Sequence, residues 1–123
     1  MKRSLSVLLV EDDLALGPIT FHALAHLGHR AVLATSAPVV DAHLRSAHDF
    51  ELVLLDLQLG DQRSEPLILR LRAEKIDVPI IVVFSAQPLE ELERVVRDIG
   101  ARGYVQKPAT VDDIDRAIEV AIA

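Results

Sequence analysis

The sequence has no cysteine, only 3% aromatic residues and no long uninterrupted apolar run. The lack of cysteine excludes disulfide bonds and thiolate chemistry, which fits a reducing compartment, and we expect a cytoplasmic protein. No stretch approaches the roughly 18 apolar residues that a membrane-spanning helix needs. The apolar run near the N-terminus is too short for a signal peptide and ends in acidic residues.

Charge and composition narrow the class of protein further. The net charge of −6 argues against nucleic acid or an anionic membrane as a direct partner. Half of the residues are hydrophobic, and because so few are aromatic the core must be aliphatic. Runs of Val, Ile and Leu are typical of parallel sheets that helices cover on both faces. With 123 residues, we expect a single domain over 1–123.

Five short apolar runs alternate with five segments of helical periodicity. The runs lie at 5–10, 31–35, 51–57, 78–86 and 103–108. Gly28 and Gly100 stand where helices are expected to end, and Ser36 and Thr110 where helices are expected to begin. Pro18 is compatible with the first helix only in its first turn. Five units of strand followed by helix predict an α/β protein with an open parallel sheet.

Charged and hydroxyl residues follow the predicted strands where they end. They are Glu11, Asp12 and Asp13 after the first strand, Asp56 in the third, Ser85 in the fourth and Lys107 in the fifth. The carboxyl ends of parallel strands meet at one edge, so these residues are expected to form one pocket. Two like charges ~4 Å apart repel by about 4 kcal/mol at an effective dielectric near 20. A hard divalent cation would relieve that repulsion, and oxygen ligands favour Mg²⁺. The lysine and the hydroxyl would then serve a bound anion, most simply a phosphoryl group.

Four motifs in order resemble the receiver domain of two-component response regulators, and of chemotaxis regulators in particular. They are VLLVEDD, LVLLDLQL, IIVVFSA and GYVQKP, and together they extend over essentially the whole chain. The resemblance implies a flavodoxin-like (βα)5 fold, with a doubly wound parallel sheet of strand order 2-1-3-4-5. It also implies Mg²⁺ as cofactor and, as partner, a histidine kinase or a phosphotransfer protein.

The resemblance assigns roles to the residues of the expected pocket. Asp56 matches the aspartate that accepts the phosphoryl group. Asp12 matches the carboxylate that binds Mg²⁺ directly, Glu11 its acidic neighbour, and Gln58 the residue whose backbone carbonyl is a ligand. Asp13 is either a third ligand or an acid at a helix N-terminus.

The remaining matches concern the bound phosphoryl group and the response to it. Lys107 matches the lysine that pairs with the phosphoryl group, and in the family the Lys107–Pro108 bond is cis. Ser85 matches the switch hydroxyl, and Tyr104 the aromatic switch residue that moves inward. After phosphorylation, the face formed by the fourth helix, fifth strand and fifth helix is expected to change its conformation and thereby control a downstream protein. The sequence does not identify that protein. Arg94, Arg97 and Arg102 are either a solvated surface of this face or part of an interaction site.

The loop after Asp56 departs from the family pattern. Gly60 stands where the family usually has proline, and Ser64 lies near the usual position of glycine. Glycine in place of proline predicts a looser loop, and Asp61 adds negative charge near the pocket. No output module follows the fifth helix, so the sequence resembles a stand-alone receiver unless it was cut from a longer protein.

The leading hypothesis is a phosphorylated switch, which we expect to be a monomer or a weak dimer. It would not be an enzyme beyond slow self-dephosphorylation. Two other functions compete with this one. One is a pseudo-receiver that keeps the fold as a protein-interaction module, against which the complete set of site residues argues. The other is a small phosphatase with an aspartyl nucleophile. Such enzymes generally carry an acid two residues after the nucleophile, and Gln58 in that position cannot act as one.

Overall fold

A computed structural model describes residues 3–123 as alternating strands and helices. The strands in this range are β1 (Ser6–Val10), β2 (Arg30–Ala34), β3 (Leu52–Leu55), β4 (Gln58–Leu59), β5 (Gln62–Arg63), β6 (Ile80–Ser85) and β7 (Gly103–Gln106). The helices are α1 (Leu16–His26), α2 (Ala37–Arg45), α3 (Glu65–Ala73), α4 (Leu89–Ile99) and α5 (Val111–Ile122). Between residues 3 and 123, none of the helices has the length and apolar character to cross a membrane.

Five of these strands form one parallel sheet in the order β2-β1-β3-β6-β7. This is the predicted order 2-1-3-4-5, and the predicted fold class is confirmed. Val10 of β1 lies opposite Ala34 of β2 and Leu55 of β3. This register brings the carboxyl ends of β1 and β3 side by side, where the acidic residues follow.

The sheet is buried because helices cover both of its faces. Leu8 and Val10 of β1 point into a core shared with α2, α3 and α4. Val7 and Leu9, which alternate with them, point into a second core shared with α1 and α5. Because side chains of a strand alternate between faces, a strand buried on both sides is apolar throughout, as the predicted aliphatic core requires.

Most of the predicted helix ends are confirmed. Gly28 has φ +90°, and the N–H groups of Gly28 and His29 donate to the carbonyls of Ala25 and Leu24, each at 3.0 Å. This Schellman arrangement closes α1. Pro18 lies in the first turn of α1, where a missing N–H leaves no helical bond unmade.

The predicted ends of the other helices agree with the structure. Gly100, with φ +65°, ends α4. Thr110 and Asp113 form a reciprocal capping box at the start of α5. Ser36 occupies the N-cap position of α2, as predicted, although its side chain accepts no capping hydrogen bond.

Several strand boundaries differ from the prediction, and one pair of strands was not predicted. The third run, 51–57, pairs only over Leu52–Leu55, and the fourth, 78–86, pairs only from Ile80. Leu57 stays buried beyond the end of its strand. Burial thus extends past the backbone ladder, and apolar runs overestimate strand length. The unpredicted pair is the antiparallel hairpin of β4 and β5.

Lys75 gives a test of how α3 ends. Its φ is +65°, and its N–H and that of Ile76 close the helix as at Gly28, although a side chain is unfavourable in this conformation. We expect Lys75→Gly to raise the free energy of unfolding by about 1 kcal/mol. Gly28→Ala is the converse substitution, and we expect it to lower the free energy of unfolding by about 1 kcal/mol. A Cβ added at Gly28 meets nothing within 4 Å, so this decrease would come from the backbone conformation alone. Urea unfolding followed by circular dichroism measures both, and equal signs would contradict this account.

Candidate functional site

The polar residues at the strand ends line one cleft of about 320 Å³. The backbone continues two strands slightly beyond their ends. The N–H of Glu11 donates to the carbonyl of Ala34 at 3.1 Å, and the N–H of Asp56 to that of Val10 at 3.0 Å. Both acidic side chains are therefore held in place by the sheet, and the predicted meeting of the strand ends is confirmed.

Three carboxylates of the cleft lie close together. Glu11, Asp12 and Asp56 each offer an oxygen, and these atoms lie within 4.8 Å of one another. Glu11 is only 1% exposed and Asp56 only 6%. Asp13 stands apart from this group: its Oδ1 accepts the N–H groups of Ala15 and Leu16 at 2.9 and 2.8 Å. These bonds lower the pKa of Asp13, so the structure shows it as an acid at the N-terminus of α1.

Lys107 supplies a positive charge to this cleft. Its Nζ lies 2.5 Å from Oε1 of Glu11 and 3.4 Å from Oδ2 of Asp56. The ammonium also lies 4.9 Å from the centre of the Phe84 ring. The Lys107–Pro108 peptide bond is cis, as predicted. One lysine offsets only part of the charge of three carboxylates, so the cleft keeps an excess of negative charge.

The pKa of Asp56 is raised in this cleft, mainly because the carboxyl group is buried. Burial and a hydrogen bond with the side chain of Glu11 raise this pKa to about 7. The N–H of Gln58, which donates to Oδ1 of Asp56 at 3.1 Å, and the charge of Lys107 act in the opposite direction and offset only part of the rise. Near neutral pH, a proton therefore competes with any cation for the cleft.

The donor atoms of the cleft suit a hard cation. Carboxylate oxygens are the ligands that Mg²⁺ prefers, and their excess negative charge provides a reason to bind it. Gln58 lines the same cleft. Its side-chain Nε2 donates to the carbonyl of Gly60 at 2.9 Å, within the same hairpin.

The two predicted switch residues occupy different places. Ser85 is 3% exposed and lines the cleft, and its Oγ accepts the N–H of Gln87 at 3.2 Å. Tyr104, in β7, is half-buried against the core beneath α2, α3 and α4. It lines a separate groove that includes Ala117 and Val120 of α5. The structure thus brings every predicted site residue into the acidic cleft except Tyr104.

The hairpin of β4 and β5 adds a contact that the sequence analysis missed. Gly60 turns the chain with φ +63°, and its N–H donates to Oδ2 of Asp12 at 2.6 Å. Proline has no N–H and cannot adopt a positive φ, so it could not replace glycine here. The segment is a hairpin whose tip is bonded to Asp12, and the looser loop expected from glycine in place of proline stays a prediction. The Gly60-Asp61 pair is a turn signal of the kind found between the two strands of a hairpin, and it could have revealed this one.

Ser64 attaches the other end of this loop to the acceptor strand. Its side chain is fully buried, its Oγ donates to the backbone carbonyl of Asp56, and its N–H donates to the carbonyl of Leu57 at 3.0 Å. A glycine could not supply the hydroxyl. The loop between Asp56 and α3 is therefore held to the cleft at both Gly60 and Ser64.

Comparison with known proteins agrees with the fold and with the cleft. A family model described as response regulator receiver domain matches residues 7–119. The transcriptional regulatory protein PmrA of Pectobacterium parmentieri is 30% identical over 118 residues, which are 96% of this chain and 52% of that protein. The regulatory protein VirG of Agrobacterium tumefaciens is 31% identical over 94% of this chain and 43% of its own length. The chain thus spans about half the length of the curated relatives it matches.

Solved structures show the same architecture. The non-phosphorylated HemR receiver domain of Leptospira biflexa is 27% identical, with a TM-score of 0.79 over 98% of this chain and 95% of that one. The chemotaxis protein CheY4 of Vibrio cholerae has a TM-score of 0.82 over 95% of this chain and 98% of that one. At 17% identity, the latter likeness concerns the fold alone.

The raised pKa of Asp56 predicts how stability depends on pH. The folded chain holds this proton more tightly than the unfolded chain, so stability falls as the pH rises from about 4 to about 7. We expect Asp56→Asn to be more stable than the parent at about pH 8 by on the order of 2–4 kcal/mol. The difference should nearly vanish at about pH 4, where the parent carboxyl is protonated in the folded state.

Urea unfolding at the two pH values measures this difference. Asp61→Asn, which changes an exposed acid in the hairpin turn, is the matched control and should leave the pH dependence of the parent unaltered. Mg²⁺ added at the higher pH should narrow the gap, because a cation favours the ionised carboxyl. A gap of the same size at both pH values would show that burial does not penalise the charge of Asp56.

Proposed function

The chain belongs to the response regulator receiver domain family, and from that membership we propose that Asp56 accepts a phosphoryl group from a histidine kinase or a phosphotransfer protein. Members of this family are typically signalling modules rather than enzymes, and receiver domains interact with histidine kinases. The observation that carries the proposal is the grouping of a buried Asp56 with Glu11, Asp12 and Lys107 in one cleft.

The surroundings of Asp56 support its role as the acceptor. Its Oδ1 is held by the N–H of Gln58, while its Oδ2 faces Lys107. In the transfer, a carboxylate oxygen forms a bond to phosphorus as the phosphorus–nitrogen bond of the donor phosphohistidine breaks. The bonding electrons pass to the imidazole nitrogen. Lys107 needs only to leave Glu11 to pair with the incoming phosphoryl oxygens.

Mg²⁺ would be held by Glu11, Asp12, Asp56 and the backbone carbonyl of Gln58. When bound, the ion supplies positive charge that reduces repulsion between the carboxylates and the phosphoryl oxygens. The residues of the chain have their own tasks. Gln58 orients the acceptor carboxylate through its N–H, and burial around Glu11 keeps bulk water from screening the interaction with Lys107.

Ser85 and Tyr104 are the proposed route from the cleft to the outer face. The hydroxyl of Ser85 lies in the cleft and accepts one backbone N–H, that of Gln87, so its rotation toward a phosphoryl oxygen costs a single hydrogen bond. Movement of this hydroxyl would open space for Tyr104, which lies in the neighbouring strand β7. The face formed by α4, β7 and α5 would then change its shape toward a partner protein.

Incubation with acetyl phosphate and Mg²⁺, followed by intact mass measurement, tests the proposal. We expect one phosphoryl group per chain in the parent and none in Asp56→Asn, because its neutral amide is not a nucleophile as the carboxylate is. Asp61→Asn, the matched control, should be modified like the parent. Lys107→Gln should be modified at least about tenfold more slowly, because a charge-assisted contact is lost.

The other outcomes each point to a different function. A parent chain that gains no phosphoryl group would contradict the proposal and favour the protein-interaction module. An adduct that persists in Asp56→Asn would place the acceptor elsewhere. Rapid multiple turnover on phosphate esters would instead indicate a phosphatase.

A further inference from the structure

The hairpin of β4 and β5 contacts the acidic cleft at its tip. The N–H of Gly60 donates to Oδ2 of Asp12 at 2.6 Å, across 48 positions of sequence. This bond fixes one oxygen of Asp12 and leaves the other free. Gly60 is thus placed to set the orientation of a carboxylate that the proposed function assigns to Mg²⁺.

The last residue of the same hairpin contacts a different element. Arg63 Nη2 lies 2.5 Å from Oε1 of Glu65, at the start of α3, and 3.1 Å from Oε1 of Glu91, in the first turn of α4. Arg94 of α4 approaches the same two carboxylates, at 3.5 Å for Glu65 and 2.5 Å for Glu91. The two arginines and two glutamates form a cluster between the hairpin and α4.

The hairpin is short and is held at both ends. Only Gly60 and Asp61 separate its strands, and Ser64, which follows Arg63, is bonded to the backbone of Asp56. A displacement of the tip at Gly60 therefore cannot be absorbed within a flexible loop before it reaches Arg63. In addition, the hydrogen bonds from Arg94 and Arg63 lower the pKa of Glu91 to about 2, so Glu91 stays charged across the physiological range.

We propose that this hairpin couples the acidic cleft to the N-terminal turn of α4, with Gly60 as a positioning residue for Asp12 and Arg63 as the link to Glu91. Cation binding at Asp12 restricts the rotation of its carboxylate and with it the position of the Gly60 tip, and the hairpin transmits that restriction to α4. The coupling rests on the proposed Mg²⁺ site but not on phosphoryl transfer. It runs through the hairpin of β4 and β5 to α4 and does not involve Ser85 or Tyr104.

Coupling between two sites is reciprocal, so it is measurable from either end. From the cleft, Mg²⁺ should slow amide hydrogen exchange in the hairpin and in the first turn of α4. From α4, Arg63→Gln or Glu91→Gln should weaken Mg²⁺ binding about twofold to fivefold, since partly exposed ion pairs are individually weak. Arg116→Gln is the matched control, because it breaks an exposed pair with Asp113 on α5 while removing the same charge.

Variants at Gly60 test the tip. Gly60→Pro removes the N–H and the positive φ, and should weaken Mg²⁺ binding about tenfold and abolish the protection of α4. Gly60→Asn keeps the N–H and tolerates this backbone, and nothing lies within 4 Å of its Cβ, so it should behave like the parent. If Gly60→Pro does not fold, the comparison of Arg63→Gln with Arg116→Gln still decides the matter.

Titration calorimetry with Mg²⁺ alone, and exchange measured by mass spectrometry with and without Mg²⁺, provide the readings. Equal protection of α4 by Mg²⁺ in the parent and in Arg63→Gln, or parent-like Mg²⁺ affinity in a folded Gly60→Pro, would overturn the coupling. Absence of protection at α4 in the parent would do the same. Failure of Asp56 to accept a phosphoryl group, with the Mg²⁺ response of α4 intact, would instead overturn the proposed function alone.

Discussion

Repulsion among three carboxylates at the edge of a buried sheet is the constraint on which the site depends. Glu11 and Asp56 are almost fully buried, so water cannot reduce the cost of their charges. The structure compensates part of it through Lys107, which lies 2.5 Å from Glu11, and part through a proton on Asp56, whose pKa is raised. The charge that remains makes the cleft receptive to a divalent cation. The same excess of negative charge explains why the Asp56 carboxylate would need a divalent cation before it could accept a negatively charged phosphoryl group.

The sheet and the hairpin hold this cluster together against its own repulsion. Val10 and Leu55 are paired in register, and backbone hydrogen bonds continue past both strand ends to Glu11 and Asp56. Aliphatic cores on both faces keep these strands from moving apart. The N–H of Gly60 adds a neutral donor to Asp12, which lowers the cost of that carboxylate without adding a competing cation.

The features that could be predicted are set either by residues close together in sequence or by the geometry of a parallel sheet. Gly28, Gly100 and Thr110 mark helix ends through interactions within a few residues, and their roles were predictable. The meeting of Asp12, Asp56 and Lys107 was predictable because a parallel sheet has only one carboxyl edge. The hairpin is indicated only by its Gly60-Asp61 turn, and a glycine in place of the usual proline is also typical of a looser loop. Its partner, Asp12, lies 48 residues away, and no local pattern indicates a bond of that kind.

The residue pattern alone predicts the five main units of strand and helix, the aliphatic core and the residues that reach the cleft. These properties depend on the periodicity of the apolar residues and on which polar residues follow each apolar run, and both can be seen in the sequence. Two contacts could be known only from the packed fold: the ion pair of Lys107 with Glu11 and that of Arg63 with Glu91 of α4. Which side chains form such long-range contacts depends on the distance between them and on their burial. Both are set only when the helices have packed on the sheet.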